Sequence, residues 1–176
     1  SEAKIGETRA SVKQLKITYQ GNPLTTEKFL NLFSIFTPKD FLLNYEDEFA
    51  FAFFAQKEGA RPILILKAKN KDLAKTQMTD WGKSTLASDI LPLFLSNIRL
   101  SQYLPSFRTY LFVNQPVYFL NIGASYASLN YSIYNNYLIF TTSSAGMFVV
   151  LQDLTGQSIS QSYLENLNAS INEFVE

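Results

Sequence analysis

Residues Asn130–Gly156 read NYSIYNNYLIFTTSSAGMFVVLQDLTG, and the fold turns on where their periodicity changes. Up to Thr142 the side chains alternate. Leu129, Tyr131 and Ile133 fall on one side of an extended chain, and Asn130, Ser132 and Tyr134 on the other. Asn135-Asn136 suits a tight two-residue turn, because Asn tolerates positive φ better than any residue except Gly. Beyond Thr142, Met147, Val150, Leu151 and Leu154 fall at i, i+3, i+4 and i+7, the spacing of one helix face. Gly156 stands where a helix C-cap glycine belongs. Ser143 or Ser144 then caps the helix start by accepting a hydrogen bond from a free N–H of the first turn. Free amides at a helix start also bind anions, so TTSSAG has a second reading as a ligand loop. A phosphate loop needs a second glycine and a nearby Lys or Arg, and none stands there. TTSSAG is therefore a strand-to-helix joint.

Working outward, the same pattern recurs in EFAFAFFAQKEGARPILILKAKN (Glu48–Asn70). Phe49–Phe54 and Pro62–Lys69 read as a hairpin around a charged, Gly-containing loop, and the apolar start of the return strand predicts burial on both faces. Asn70 caps the helix that follows, with Asp72 in its first turn and Leu73, Gln77, Met78 and Trp81 along one side. With an offset of 74, Leu64–Met78 lies over Leu138–Gln152 without gaps. This is either a duplicated hairpin–helix unit or two uses of one common joint.

The remaining elements follow the same logic. Ala10–Asn22 alternates as a strand, and Thr25 caps a short helix whose apolar stripe is Phe29, Leu32, Phe33 and Phe36. A second helical piece spans Ser84–Asn97 with a kink at Pro92. Phe107–Val113 and Val117–Ile122 are strands, and Ser162–Val175 is an amphipathic helix starting near Ser160 or Ser162. Runs of strands, rather than strict β–α alternation, predict an α+β domain over residues 1–176. Its sheet is mainly antiparallel, built from hairpins, with helices packed on one face. Possible repeat units are residues 45–97 and 107–156, with the C-terminal helix near 160–175.

Composition excludes many chemistries. The 176 residues hold neither Cys nor His, which removes thiolate catalysis, Ser–His–Asp triads and most zinc and iron sites. Fifteen basic and fifteen acidic residues cancel, so the one-sided positive field that nucleic acid selects is missing. The longest apolar runs fall far short of the ~20 residues that span a bilayer. No Gly-x-Ser-x-Gly motif occurs, and neither a cofactor nor a metal is expected. YEDEF (Tyr45–Phe49) clusters Glu46, Asp47 and Glu48 in the manner of a calcium or sugar site, but consecutive side chains cannot all face one ion from regular structure. It reads as the solvated start of a strand. Asn130-Tyr-Ser132 and Asn168-Ala-Ser170 match the glycosylation sequon.

ILILKAKNKDLAKTQMTDW and LNYSIYNNYLIFTTSSAGMFVVLQDLTG together resemble a pattern in uncharacterised membrane-anchored proteins of small-genome candidate-phylum bacteria. The pattern comprises a hairpin, an Asn-Tyr-Leu-Ile turn, a Thr-Ser joint and a Met-bearing helix, and it covers about residues 41–156. The resemblance implies an extracytoplasmic domain of the cell envelope, tethered by a membrane helix outside this chain. It carries no known activity. The function expected is a non-catalytic envelope module that binds or scaffolds, with another envelope protein or a glycan as partner. The alternative is a carbohydrate- or peptide-recognition domain using a tyrosine-rich sheet face, with Tyr118, Tyr126, Tyr131, Tyr134 and Tyr137 as binding residues. A second alternative is a hydrolase working through two facing carboxylates.

Overall fold

A computed structural model describes residues 12–15, 17–19, 21–95, 106–124 and 127–172. The strands are β1 (Val12–Leu15), β2 (Thr18–Tyr19), β3 (Asn22–Pro23), β4 (Tyr45–Gln56), β5 (Gly59–Ala68), β6 (Arg108–Phe112), β7 (Gln115–Ala124), β8 (Ala127–Tyr134) and β9 (Tyr137–Thr141). The helices are α1 (Thr26–Leu32), α2 (Lys71–Gly82), α3 (Leu86–Asp89), α4 (Ser144–Thr155) and α5 (Gln161–Asn172), joined by 3-10 turns at Phe41–Asn44 and Leu91–Phe94. Seven strands form one sheet in the order β1-β4-β5-β9-β8-β7-β6, every neighbouring pair antiparallel, while β2 and β3 pair separately.

The domain is α+β, as expected, but its helices cover both faces of the sheet rather than one. Side chains alternate along a strand, so β5 and β9 each serve two cores. Leu64, Leu66, Leu138 and Phe140 join Met78 and Trp81 of α2, together with Phe29 and Leu86. Ile63 and Ile139 join Met147, Phe148 and Leu151 of α4 on the other face. Central strands covered twice are apolar at successive positions, and Ile63, Leu64, Leu138 and Ile139 are all buried.

The joint after β9 forms as its sequence dictates. Ser143 has extended backbone (φ −156°, ψ 150°) and its hydroxyl accepts from Gly146 N at 3.1 Å, while Gly156 closes α4 in the left-handed region at φ 66°. Asn70 caps α2 in the same way, its side chain accepting from Asp72 N and Leu73 N, both at 3.0 Å. The register pairs Ile65 with Ile139, the two residues that the 74-residue offset superposes (139 − 65 = 74). The caps then differ by one step. Asn70 stands five residues past Ile65 (70 − 65 = 5), whereas Ser143 stands four past Ile139 (143 − 139 = 4). One residue of extended chain reverses its facing, and α2 and α4 leave on opposite faces.

Several sequence expectations shift. The strand Ala10–Asn22 is interrupted into β1 and the small β2–β3 ribbon, turning at Gly21 (φ 81°). In α1 the buried side runs through Thr26, Phe29 and Leu30 and leaves Leu32 exposed; beyond the helix end, Ser34 takes φ 55°, and Ile35 is buried while Phe36 is exposed. A 3.6-residue stripe drawn through that break lands on the wrong residues. Along α2, Ala74 is buried and Leu73 is not. Pro92 opens a separate 3-10 turn after α3 instead of kinking one helix, and the stretch 96–105 lies outside the described residues. In α5, Leu164 and Leu167 are partly buried against the second core.

Candidate binding site

The acidic run YEDEF sits on a bulge. Four residue steps along β4, from Tyr45 to Phe49, oppose two along β5, from Ala68 to Leu66. The buried hydroxyl of Thr26 donates to the carbonyls of Glu46 (2.9 Å) and Asp47 (3.0 Å), fastening the bulge to α1. Asp47 and Glu48 are exposed, and among the described residues no three His, Cys, Asp or Glu gather at a common point. The bulge is structural.

The start of α4 is equally closed. Asn130 is fully buried; its amide donates to Ser128 O (3.0 Å) and Ser128 Oγ (2.9 Å), and Ser144 Oγ donates to its Oδ1 (3.2 Å). The Tyr110 hydroxyl is buried beside Ser144 without completing a hydrogen bond, and burial pushes its pKa far up. Asn130, Ser128 and Ser144 satisfy one another and fix the helix to β8. Because Asn130 is inaccessible, its sequon offers no acceptor on the folded chain.

The tyrosines do not make one platform. Tyr118 and Tyr131 are directly paired across β7 and β8 and face the α2 side. Tyr134 and Tyr137 pair across β8 and β9 on the opposite face, where Tyr134 packs on the second core. Tyr126 lies outside the described residues. The division follows from the two-residue period: Tyr131 and Tyr134 are three apart and point oppositely.

The first pair builds a site. The rings of Tyr118 and Tyr131 stack with centroids 4.7 Å apart and planes 9° apart. Tyr131 is 4 % exposed and Tyr118 36 %, so the inner ring backs the outer one. Phe107 meets Tyr131 edge-on at 5.2 Å, and a Cβ placed on Gly82 would stand 3.0 Å from the Tyr131 hydroxyl. Burial first, and the neighbouring Tyr118 second, hold the Tyr131 pKa well above its ordinary value. At any physiological pH this hydroxyl is protonated. The pair stands between two clefts, of about 280 and 430 Å³, that share Thr79, Tyr118 and Tyr131. Together they form a trough between α2 and strands β6–β8.

Sequence reasoning missed the helical wall of this trough. Lys71, Lys75, Thr79 and Lys83 follow one i, i+4 row of α2 and its C-cap. The four-residue spacing is written in the sequence, on the polar side of α2. On the sheet wall, Gln115 is held by donating to Ser132 Oγ and Ile133 O, both at 3.0 Å. Neither cleft is lined by a carboxylate, so the facing pair that glycoside hydrolysis needs is missing from this trough. No helix among the described residues is long and apolar enough to cross a membrane. No family model matches the chain, and neither a curated protein nor a solved structure matches it.

Proposed function

We propose that the protein is a non-catalytic binding module of the cell envelope and that its ligand lies in the trough between α2 and β6–β8. The observation that carries this reading is the stacked pair Tyr118–Tyr131. A tyrosine offers a large contact area with few rotatable bonds, and a ring already fixed against a buried neighbour loses little further freedom when a ligand covers it. A concave site with a rigid apolar floor and a few polar groups at its rim is what small-ligand recognition requires. The envelope setting rests on the sequence resemblance.

The test is chemical-shift mapping on isotope-labelled protein titrated with short oligosaccharides and peptides. Perturbations are expected to cluster at Thr79, Gln115 and Tyr118, and Tyr118→Ala should abolish them while leaving the fold intact. Perturbations confined to the Tyr134–Tyr137 face would refute the location. Slow cleavage of any oligosaccharide during the titration would refute the non-catalytic reading.

A further inference from the structure

Resting on that reading, we propose that the trough is selective for a polyanionic glycan: a sugar or sugar-alcohol chain bearing regularly spaced carboxylates or phosphates. The first ground is charge. The whole chain is neutral, yet the trough carries Lys71, Lys75 and Lys83 and no carboxylate in its lining. Lys75 has a partner in Asp72 at 3.2 Å, but both side chains are largely exposed, and Asp72 lies outside the lining. Such a surface pair is weak and exchanges readily for a ligand anion. Lys71 and Lys83 make no ion pair with a carboxylate among the described residues.

The second ground is the balance of donors and acceptors. Ammonium groups only donate, whereas Gln, Thr and Tyr side chains do both. A neutral sugar needs acceptors for its hydroxyl protons, and an extended peptide brings one backbone N–H for each carbonyl. The Thr, Ser, Gln and Tyr side chains of the trough both donate and accept, and the three lysines add donors alone, so donors exceed acceptors and favour a ligand rich in oxygen acceptors.

The third ground is spacing. At about 1.5 Å per residue, Lys71 and Lys75 stand about 6 Å apart along α2, and Lys75 and Lys83 about 12 Å. A chain with anions repeating at one or two sugar units meets these cations in sequence. Midway, the exposed face of Tyr118 offers a stacking surface for a sugar ring.

The experiment titrates four ligands of similar length: hexagalacturonate, a ribitol phosphate oligomer, neutral cellohexaose and hexaglutamate. Hexagalacturonate or the ribitol phosphate oligomer should bind with shifts centred on Thr79 and Tyr118, and the tighter of the two identifies the anion as carboxylate or phosphate. Cellohexaose should bind at least about tenfold more weakly, and affinity for the anionic chain should fall as NaCl rises from about 50 to 500 mM. The double variant Lys71→Gln, Lys83→Gln should weaken anionic binding about tenfold, and the Arg double variant should retain it. Cellohexaose bound as tightly as the anionic chains, or hexaglutamate bound more tightly, would overturn the inference while leaving the trough as a binding site. Silence of the trough resonances toward all four would overturn the binding reading itself.

Discussion

Gly82→Ala tests the packing of the tyrosine pair against α2. Gly82 is the last residue of α2, and replacing it with Ala inside a helix would ordinarily gain up to about 1 kcal/mol. Here the new methyl carbon would stand 3.0 Å from the Tyr131 hydroxyl. The Tyr131 ring has little room to retreat: Tyr118 lies stacked at 4.7 Å, Phe107 edge-on at 5.2 Å and Phe140 at 6.3 Å. Overpacking of this kind typically costs about 1–3 kcal/mol. The net expectation is a loss of about 0.5–2 kcal/mol, the overpacking cost less the propensity gain. Tyr131→Phe removes the obstructing oxygen, so in that background Gly82→Ala should stabilise by about 0.5–1 kcal/mol. The coupling between the two sites is then about 1–3 kcal/mol. Urea denaturation of the four proteins reads it, with Trp81, adjacent in α2 and 6.2 Å from Phe140, as the fluorescent reporter. Additivity within about 0.5 kcal/mol would refute the claim that a locked Tyr131 requires glycine at position 82.

Three further perturbations address the core and the joint. Leu151 is fully buried in the second core, so Leu151→Ala should cost about 2.5–4 kcal/mol by thermal or urea unfolding; Gln152→Ala, one residue around the helix, should stay within about 0.5 kcal/mol. Ser143→Ala removes the hydroxyl that accepts from Gly146 N at 3.1 Å and should cost about 1–2 kcal/mol, with Ser143→Asp or Ser143→Asn retaining more stability than Ala. Burial raises the pKa values of Tyr45, Tyr110 and Tyr131 above their ordinary value near 10. Their contribution is therefore complete below pH 10 and is lost as pH rises above it, because the unfolded chain releases these protons first. Each should steepen the fall by up to about 1.4 kcal/mol per pH unit, and Tyr45→Phe should make the alkaline limb of the stability curve shallower.

The strand-to-helix joints were readable from sequence because they depend on local chemistry. An Asn or Ser with an acceptor side chain at the helix start, a change of period from two to 3.6 and a glycine that accepts positive φ settle Asn70 and Gly156, and narrow the second cap to Ser143 or Ser144, without reference to the rest of the chain. The hairpins β4–β5 and β8–β9 are likewise local, each closed by a short turn. The double-sided burial of β5 was readable from its continuous apolar run, since only a strand covered twice hides successive side chains.

Tertiary structure decided what local pattern leaves open. Which face a helix covers depends on how many extended residues precede its cap. Only the pairing of Ile65 with Ile139 makes that count meaningful, separating α2 from α4 by the whole sheet. The same pairing decides which tyrosines meet. Tyr118 and Tyr131 stack because β7 and β8 pair in one register, while Tyr134 and Tyr137 go to the far face. The lysine row of α2 becomes the wall of a trough only when that helix lies across those strands. Capping and periodicity act within one turn or one strand, so the sequence determines them alone. Facing and convergence are sums over distant pairings, and those exist only in the folded chain.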